Sequence, residues 1–153
     1  MIFFICTKQS FIPIDSAKAR WLERDADYEL AKDYWRDLRL DLLHSTWLKA
    51  HEFGYQYAAI VENDRIVSCA GVWRFSEEAW EVAAVSTLES FRRKGYSKSI
   101  VAFVTAFILK AGRLATCSTS DDKIAMIATA KSVGFQQVPQ EKIWWTCPKL
   151  PDF

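Results

Sequence analysis

Arg92-Arg93-Lys94-Gly95-Tyr96-Ser97 joins a strand-like segment, Trp80 to Thr87, to a helix-like segment, Lys98 to Lys110. A strand that leads through a glycine turn into a helix aims free backbone N–H groups, and the positive end of the helix dipole, at one place. Glycine there allows positive φ and lets the backbone approach a ligand closely. The stretch therefore predicts an anion site, although basic residues beside a glycine also occur in such turns without any ligand.

The composition is that of one ordinary globular domain. The chain has 153 residues, of which 50% are hydrophobic and 25% charged, and this predicts a single domain over residues 1–153. The formal net charge of +1 argues against a dedicated nucleic-acid-binding protein, which normally carries a basic face. Only the basic cluster at residues 92–94 favours that class.

Cysteine spacing and hydropathy argue against several other classes. The chain has four cysteines: Cys6, Cys69, Cys117 and Cys147. They form no C-x-x-C pair and have no histidine at ligand spacing, so we predict no metal site and reduced, apolar thiols. The apolar start Met1–Cys6 lacks the basic region of a secretion signal, and the apolar run 100–109 is about half of a membrane span. We therefore expect a cytoplasmic protein with no membrane segment.

Residue periodicity predicts helices early in the chain and a strand meander after them. Met1–Cys6 is a predicted strand, and Ser16–Arg24 a predicted helical turn with Ser16 as its N-cap. A repeat of apolar residues every four positions predicts one helix over residues 26–50. The β-rich segments 55–62 and 66–74 flank a turn-forming triplet and predict an antiparallel hairpin. A further strand, 80–87, leads into the glycine turn.

The second half of the chain predicts alternating helices and strands. Gly112 ends the helix that begins at Lys98, and residues 114–118 form a short strand. Asp121 or Asp122 is the predicted N-cap of a helix that ends near Gly134, before final strands near residue 137 and over 143–146. This order predicts an α+β (mixed α/β) domain with an open, mostly antiparallel sheet flanked by helices on both faces.

Residues 57–145 resemble the GCN5-related N-acetyltransferase (GNAT) superfamily. The acyl-CoA loop of that family reads Q/R-x-x-G-x-G/A, and Arg92, Gly95 and Ser97 stand at its fixed places, with serine where glycine or alanine is usual. Gly134-Phe135 matches the second family motif. The resemblance implies the acyl-CoA N-acyltransferase fold, in which splayed central strands hold the cofactor. It also implies transfer of an acetyl group from acetyl-CoA to a primary amine by direct attack in a ternary complex. A non-catalytic acyl-CoA-binding or regulatory module of the same fold is the alternative.

The resemblance also implies which residues bind the cofactor. Val85, Ser86 and Thr87 would give backbone groups to the pantetheine arm, whereas the simpler interpretation is that they pair with a neighbouring strand. The pyrophosphate would be held by the loop and the helix start: Arg92, Arg93, Lys94, Gly95, Tyr96, Ser97 and Lys98. The implied partners are acetyl-CoA and an amine, either a small molecule or a peptide amine. Edge strands and an aromatic-rich C-terminus are also compatible with a homodimer.

Glu81 is the candidate catalytic base. It stands eleven positions before Arg92, where the histone-acetylating branch of the family carries its glutamate, and it would deprotonate the incoming ammonium. The competing interpretation is a surface carboxylate grouped with Glu77 and Glu78.

The resemblance gives no clear general acid. Many relatives place a tyrosine four residues before the glycine of the Gly-Phe motif, and this chain has Ala130 there. Three residues are candidate proton donors in its place: Tyr96, Ser118 and Ser120. A family asparagine at the start of the same helix is replaced by Asp122 or Lys123.

Two features bear on the amine acceptor. The early helix carries an acidic stripe that consists of Glu29, Asp33, Asp37 and Asp41. This stripe either attracts a cationic amine or is a solvated face of the helix. Trp73, Trp80 and the pair Trp144-Trp145 either line an acceptor pocket or pack in the core. The sequence does not identify the amine.

Overall fold

The computed structural model describes residues 1–139, and within them the chain forms seven strands and four α-helices. The strands are β1 (Ile2–Cys6), β2 (Ala19–Trp21), β3 (Tyr55–Glu62), β4 (Arg65–Trp73), β5 (Ala79–Thr87), β6 (Leu114–Thr119) and β7 (Gln136–Val138). The helices are α1 (Tyr28–Asp37), α2 (His44–Glu52), α3 (Tyr96–Lys110) and α4 (Ile124–Val133).

All seven strands lie in one sheet, in the order β2-β3-β4-β5-β6-β1-β7. Every neighbouring pair is antiparallel except β5 and β6, which are parallel. Helices α3 and α4 pack on one face, and α1 and α2 pack on the other. The predicted α+β fold with a mixed, mostly antiparallel sheet flanked by helices is therefore confirmed.

Two apolar cores hold the helices to the sheet. On one face, Ile100, Val104 and Ile108 of α3 are fully buried against strand residues such as Val72. On the other face, Tyr34, Trp47, Ala59 and Cys69 belong to a second cluster. The central strand β4 is buried on both faces over almost its whole length, as expected for a strand between two helical layers.

Strands β5 and β6 separate along their length. They pair only where residues 79–81 meet residues 114–116. Beyond that point β5 stays with β4 as far as Thr87, while β6 stays with β1 as far as Thr119. A β-bulge opposite Ala70, with φ of 52° at Ala84, bends β5 where the gap opens. The backbone of β5 beyond residue 81 therefore has no strand partner on its β6 side.

The single helix predicted over residues 26–50 is wrong, because two helices occupy that range. Arg39 adopts a φ of 62° and ends α1, and α2 begins at His44. A straight helix over that range would be about 37 Å long, longer than a strand of the sheet it covers. The break turns the chain so that Trp47 stacks on Tyr57, with ring centroids 5.5 Å apart.

Two local predictions are also wrong. Ser16–Arg24 contains the edge strand β2 rather than a helical turn, because residues 19–21 pair with residues 58–60 of β3. Neither Asp121 nor Asp122 caps α4, whose N-cap is Lys123 without a capping side chain. The predicted strand at 143–146 and the pair Trp144-Trp145 lie outside the described residues.

The described residues contain neither a membrane-spanning helix nor a metal-binding cluster. Among residues 1–139, none of the helices is long and apolar enough to cross a membrane. In the same part of the chain, no three His, Cys, Asp or Glu side chains are placed to share a metal ion.

Candidate functional site

The gap between β5 and β6 opens into two adjoining cavities. The larger, which we call the main groove, has a volume of about 780 Å³ and runs between the end of β5, the start of α3 and the start of α4. The smaller, which we call the side pocket, has a volume of about 340 Å³. Val85 and Met126 line both, so these two residues lie where the cavities adjoin.

The start of α3 gives the main groove an anion-binding end. The loop before the helix places Arg93 at φ 64° and Gly95 at φ 80°, and alternating left-handed residues of this kind turn successive N–H groups to one side. The first N–H groups of α3 have no partner within the helix. The Arg92 Nε donates to the carbonyl of Thr87 at 3.2 Å, which ties the loop to the end of β5.

We call the loop residues 92–95 and the first turn of α3 the anion cradle. Gly95 shows what this cradle can hold. A Cβ built on Gly95 would meet no atom within 4 Å, so the space above the glycine is open and continuous with the main groove. Backbone N–H groups, arginines and an open glycine suit a phosphate-type anion that approaches the backbone closely. The anion cradle therefore has the chemistry of a phosphate-binding site.

Nine of the ten predicted cofactor-binding residues line the main groove. They are Val85, Ser86, Thr87, Arg92, Arg93, Gly95, Tyr96, Ser97 and Lys98. Lys94 does not line it, and its Nζ lies 5.1 Å from the centroid of the Phe91 ring.

The hydroxyl groups at the end of β5 have partners inside the protein. The Ser86 Oγ lies 2.7 Å from the Tyr34 hydroxyl, and the Thr87 Oγ1 lies 2.8 Å from the Ser68 Oγ. Burial raises the pKa of Tyr34, so its phenol stays protonated and available to Ser86. With these side chains engaged, it is the unpaired backbone of β5 that remains to hydrogen-bond with a ligand in the groove.

The start of α4 forms the opposite wall, which sequence reasoning largely missed. Its lining residues are Lys123, Ile124, Ala125, Met126, Ala128 and Thr129. One sequence signal was available, because an apolar residue, Ile124, directly follows the polar stretch 119–123. In the structure its side chain is 70% exposed at the groove.

Glu81 lies in the side pocket. Its side chain is half-buried on β5, and the Ser118 Oγ donates to its Oε1 at 3.2 Å. Burial raises the pKa of Glu81, and the hydrogen bond from Ser118 lowers it by a smaller amount. Glu77 and Glu78 are exposed in the turn before β5. Glu81 is therefore distinct from these two surface carboxylates.

The residues considered as proton donors occupy different places. Ala130 is fully buried, and it lines neither cavity. The Tyr96 hydroxyl donates to the Glu62 carboxylate at 2.9 Å. Of the three candidates, Ser118 alone lines the side pocket with Glu81, and Ser120 lines neither cavity.

Ion pairs partly neutralise the acidic stripe of the early helix. Asp33 pairs with Arg36 at 3.1 Å, and Asp37 pairs with Arg65 at 3.1 Å. Asp41 lies beyond the end of α1. The stripe is thus mainly a solvated face rather than a continuous acidic surface.

Comparison with known proteins identifies the family. The model of the acetyltransferase (GNAT) family matches residues 17–135, more than three quarters of the chain. No curated protein sequence matches the chain.

Solved structures share the fold at low sequence identity. A putative acetyltransferase of the GNAT family from Novosphingobium aromaticivorans DSM 12444 has a TM-score of 0.72 at 18% identity, over 90% of this chain and 59% of its own. AAC(6')-Iy, in complex with the bisubstrate analog CoA-S-monomethyl-acetylneamine, has a TM-score of 0.66 at 14% identity, over 80% of this chain and 92% of its own. The ribosomal-protein-S18-alanine N-acetyltransferase from Escherichia coli has a TM-score of 0.65 at 15% identity, over 79% and 78%.

Some of the similar proteins are considerably longer than this chain. It spans 59% of the Novosphingobium protein and 52% of a GNAT acetyltransferase from Colwellia psychrerythraea. At these identities the structural likeness establishes the fold, while the family model covers both the glycine turn and the Gly134-Phe135 motif. The chain belongs to the GNAT acetyltransferase family.

Proposed function

We propose that this chain is an acetyl-CoA-dependent N-acetyltransferase that acts on a primary amine, with residues 1–153 as one catalytic domain. The observation that carries the proposal is the pair of adjoining cavities, one at the anion cradle of α3 and the other at the half-buried carboxylate of Glu81. A long ligand with an anionic end and a reactive end fits such an arrangement. Direct attack within a ternary complex needs no covalent enzyme intermediate and depends mainly on positioning.

The cofactor would lie along β5 with its pyrophosphate at the start of α3. Arg92, Arg93 and Lys98 would supply positive charge, and the N–H groups from Gly95 onward would supply hydrogen bonds. The unpaired backbone of residues 85–87 would bind the pantetheine amides as an added strand does. When bound, acetyl-CoA supplies a thioester carbon that is open to attack by an amine.

Glu81 would accept the proton that the acceptor ammonium must lose before its nitrogen can attack. The buried surroundings that raise the pKa of Glu81 bring its basicity closer to that of the ammonium, which favours proton transfer. Ser118 would hold the carboxylate in one orientation through its 3.2 Å hydrogen bond. An acyl-CoA-binding module without activity would have no use for such a carboxylate at the end of its groove. The presence of Glu81 therefore favours the enzyme over the module.

Three further features of the sequence analysis stay predictions. They are the cytoplasmic location, the homodimer and the absence of a nucleic-acid partner.

The glycine of the cradle gives a direct test of cofactor binding. We expect Gly95→Ala to weaken acetyl-CoA binding at least tenfold in calorimetric titration, because the new methyl group enters the space that the pyrophosphate would occupy. The loss of stability should be only about 1 kcal/mol, since no protein atom opposes the methyl group.

Gly112→Ala is the matched control for that titration. Gly112 has a φ of 78° and equally open surroundings, but it does not line the main groove. Its substitution should cause a similar loss of stability and leave acetyl-CoA affinity unchanged. Equal affinities for the two variants would refute the placement of the pyrophosphate.

The Ser118 hydrogen bond should set the pH at which the enzyme becomes active. Because the bond lowers the pKa of Glu81, Ser118→Ala should raise that pKa and move the acid limb of kcat/KM to higher pH. On the acid side of that limb the rate should fall about threefold to tenfold, as for the loss of an ordinary hydrogen bond. Ser118→Thr keeps the hydroxyl and should restore the profile.

The assignment of that limb to Glu81 depends on its neighbours. Burial and the charge of Glu81 together raise the pKa values of Tyr55 and Cys117. The pKa of Cys117 reaches about 12. Both stay neutral between pH 5 and 9. If the acid limb of the pH profile did not move in Ser118→Ala, the limb would belong to a group other than Glu81.

A further inference from the structure

A row of aromatic side chains leads away from Glu81 across the sheet. Tyr55 is the register partner of Trp73, and Trp73 is the register partner of Glu81. Directly opposed residues of an antiparallel pair project on the same face, so all three side chains point to the face covered by α1 and α2. The Tyr55 and Trp73 rings stack with centroids 5.5 Å apart and planes 6° apart, and Phe75 adds a tilted ring 5.3 Å from Trp73.

This row continues the aromatic stack of the second core, because the Tyr55 ring stacks on Tyr57 with centroids 6.4 Å apart. Within residues 1–139, neither core includes Tyr55, Trp73 or Phe75, whereas Trp80 on the opposite face packs against the core of α3. Helix α2 covers the sheet as far as Tyr57, on which Trp47 stacks, and α2 ends at Glu52. The three rings are therefore only partly buried, and they form a stacked aromatic surface beyond the end of α2.

The charge beside the row is that of Glu81. One face of the Trp73 ring is covered by Tyr55, and across its other side the neighbouring strand carries Glu81. Burial raises the pKa of Tyr55, and the charge of Glu81 raises it further. Glu81 lines the side pocket and is the register partner of Trp73, so the carboxylate borders the aromatic row. A carboxylate beside an aromatic face attracts an ammonium group, and the rings beyond it attract a flat apolar group.

We propose that Tyr55, Trp73 and Phe75 form the acceptor site and that the acceptor is an arylalkylamine, a primary amine joined to an aromatic ring by a short alkyl linker. This proposal rests on the proposed function. Neighbouring strands lie about 4.8 Å apart, so an ammonium at Glu81 has Trp73 one strand away and Tyr55 two strands away. A two-carbon linker places the ring of the amine against Trp73.

Three amines of related structure test the proposal. We would measure kcat/KM with acetyl-CoA for phenethylamine, 2-cyclohexylethylamine and butylamine. Phenethylamine should exceed butylamine by about tenfold or more and should also exceed the cyclohexyl amine, which has the same skeleton without the π-system. Equal values for the three amines would overturn the proposal.

Substitution of Trp73 is the second test of the acceptor site. Trp73→Leu should lower kcat/KM about tenfold for phenethylamine, mainly through KM, and less than twofold for butylamine. Trp73→Phe keeps an aromatic face and should retain most of the activity. Phe53→Leu is the control, because Phe53 is 69% exposed and lies outside the row. Losses of equal size for both amines would show that Trp73 has only a structural role.

A binding measurement separates this proposal from the proposed function. Equilibrium dialysis of phenethylamine should detect binding to the CoA-loaded wild-type chain and much weaker binding to Trp73→Leu. If phenethylamine binds in that pattern but no amine is acetylated, the acceptor site is supported and the proposed enzymatic activity is refuted. If butylamine is acetylated but phenethylamine does not bind, the acceptor site is refuted and the proposed enzymatic activity is retained.

Discussion

Glu81→Gln should lower kcat/KM for an amine by about 10²- to 10⁴-fold at neutral pH, the range that a general base contributes. Glutamine has the same shape as glutamate, and its amide oxygen can still accept the hydrogen bond from Ser118. It cannot take a proton from the acceptor. The variant should therefore fold and bind acetyl-CoA as the wild-type chain does, because Glu81 lines the side pocket and not the anion cradle.

The pH profile adds a second readout for the same variant. The acid limb that the titration of Glu81 produces in the wild-type profile should disappear, which leaves the rate dependent on the ionisation of the amine itself. Glu77→Gln removes the same charge from an exposed carboxylate in the preceding turn and should leave the rate unchanged. An unaltered rate in Glu81→Gln would remove the role of base from this residue.

Gly134→Ala should be the most destabilising single-methyl change at a glycine of the described chain. Gly134 has a φ of 100°, and a Cβ built there would lie 2.0 Å from the carbonyl oxygen of Ser10 and 3.0 Å from the backbone nitrogen of Ile12. Ile12 donates its N–H to the Val133 carbonyl at 2.9 Å, so the opposing segment is fixed backbone. Either this segment or Phe135, which is 2% exposed, must move.

The expected loss is about 3 to 5 kcal/mol, which lowers Tm by about 10 °C or more in a chain of this size. Differential scanning calorimetry would measure it. Gly112→Ala is again the control, because Gly112 has a similar positive φ but no atom within 4 Å of the added methyl group. A Tm for Gly134→Ala as high as that of Gly112→Ala would contradict the packing of α4 on residues 10–12.

The sequence predicts the cradle well because its chemistry is local. The turn at Gly95 and the helix start depend on residues that follow one another along the chain, and the same holds for the glycine that ends α4. The helix predicted at Lys98 begins two residues earlier, at Tyr96, which is within the usual uncertainty of a helix end. These elements carry their own turn and cap signals.

Long-range pairing explains where the sequence analysis was wrong. The four-residue apolar repeat of residues 30–42 continues through the break at Arg39, so periodicity alone cannot locate the turn between α1 and α2. Residues 19–21 form a strand because β3 offers an unpaired edge, and no local preference reveals that. The lining of the groove by Ile124 and Met126 likewise depends on how α4 packs.

The aromatic residues show the same limit at the site. Alternation along a strand indicates that successive side chains face opposite layers, but it does not say which layer contains the active site. Alternation therefore leaves both core packing and ligand binding open for Trp73 and Trp80. The structure places Trp80 beside Phe107 of α3 and Trp73 beside Glu81.

One measurement tests the proposed activity most directly: mass spectrometry of the amine, combined with thiol titration, after incubation of the chain with acetyl-CoA and a panel of small amines, polyamines and peptides. The proposed function predicts an acetylated amine and free CoA thiol in equal amounts, with both strongly reduced in Glu81→Gln. A chain that binds acetyl-CoA and yet acetylates no amine of the panel would contradict the enzyme and favour the acyl-CoA-binding module.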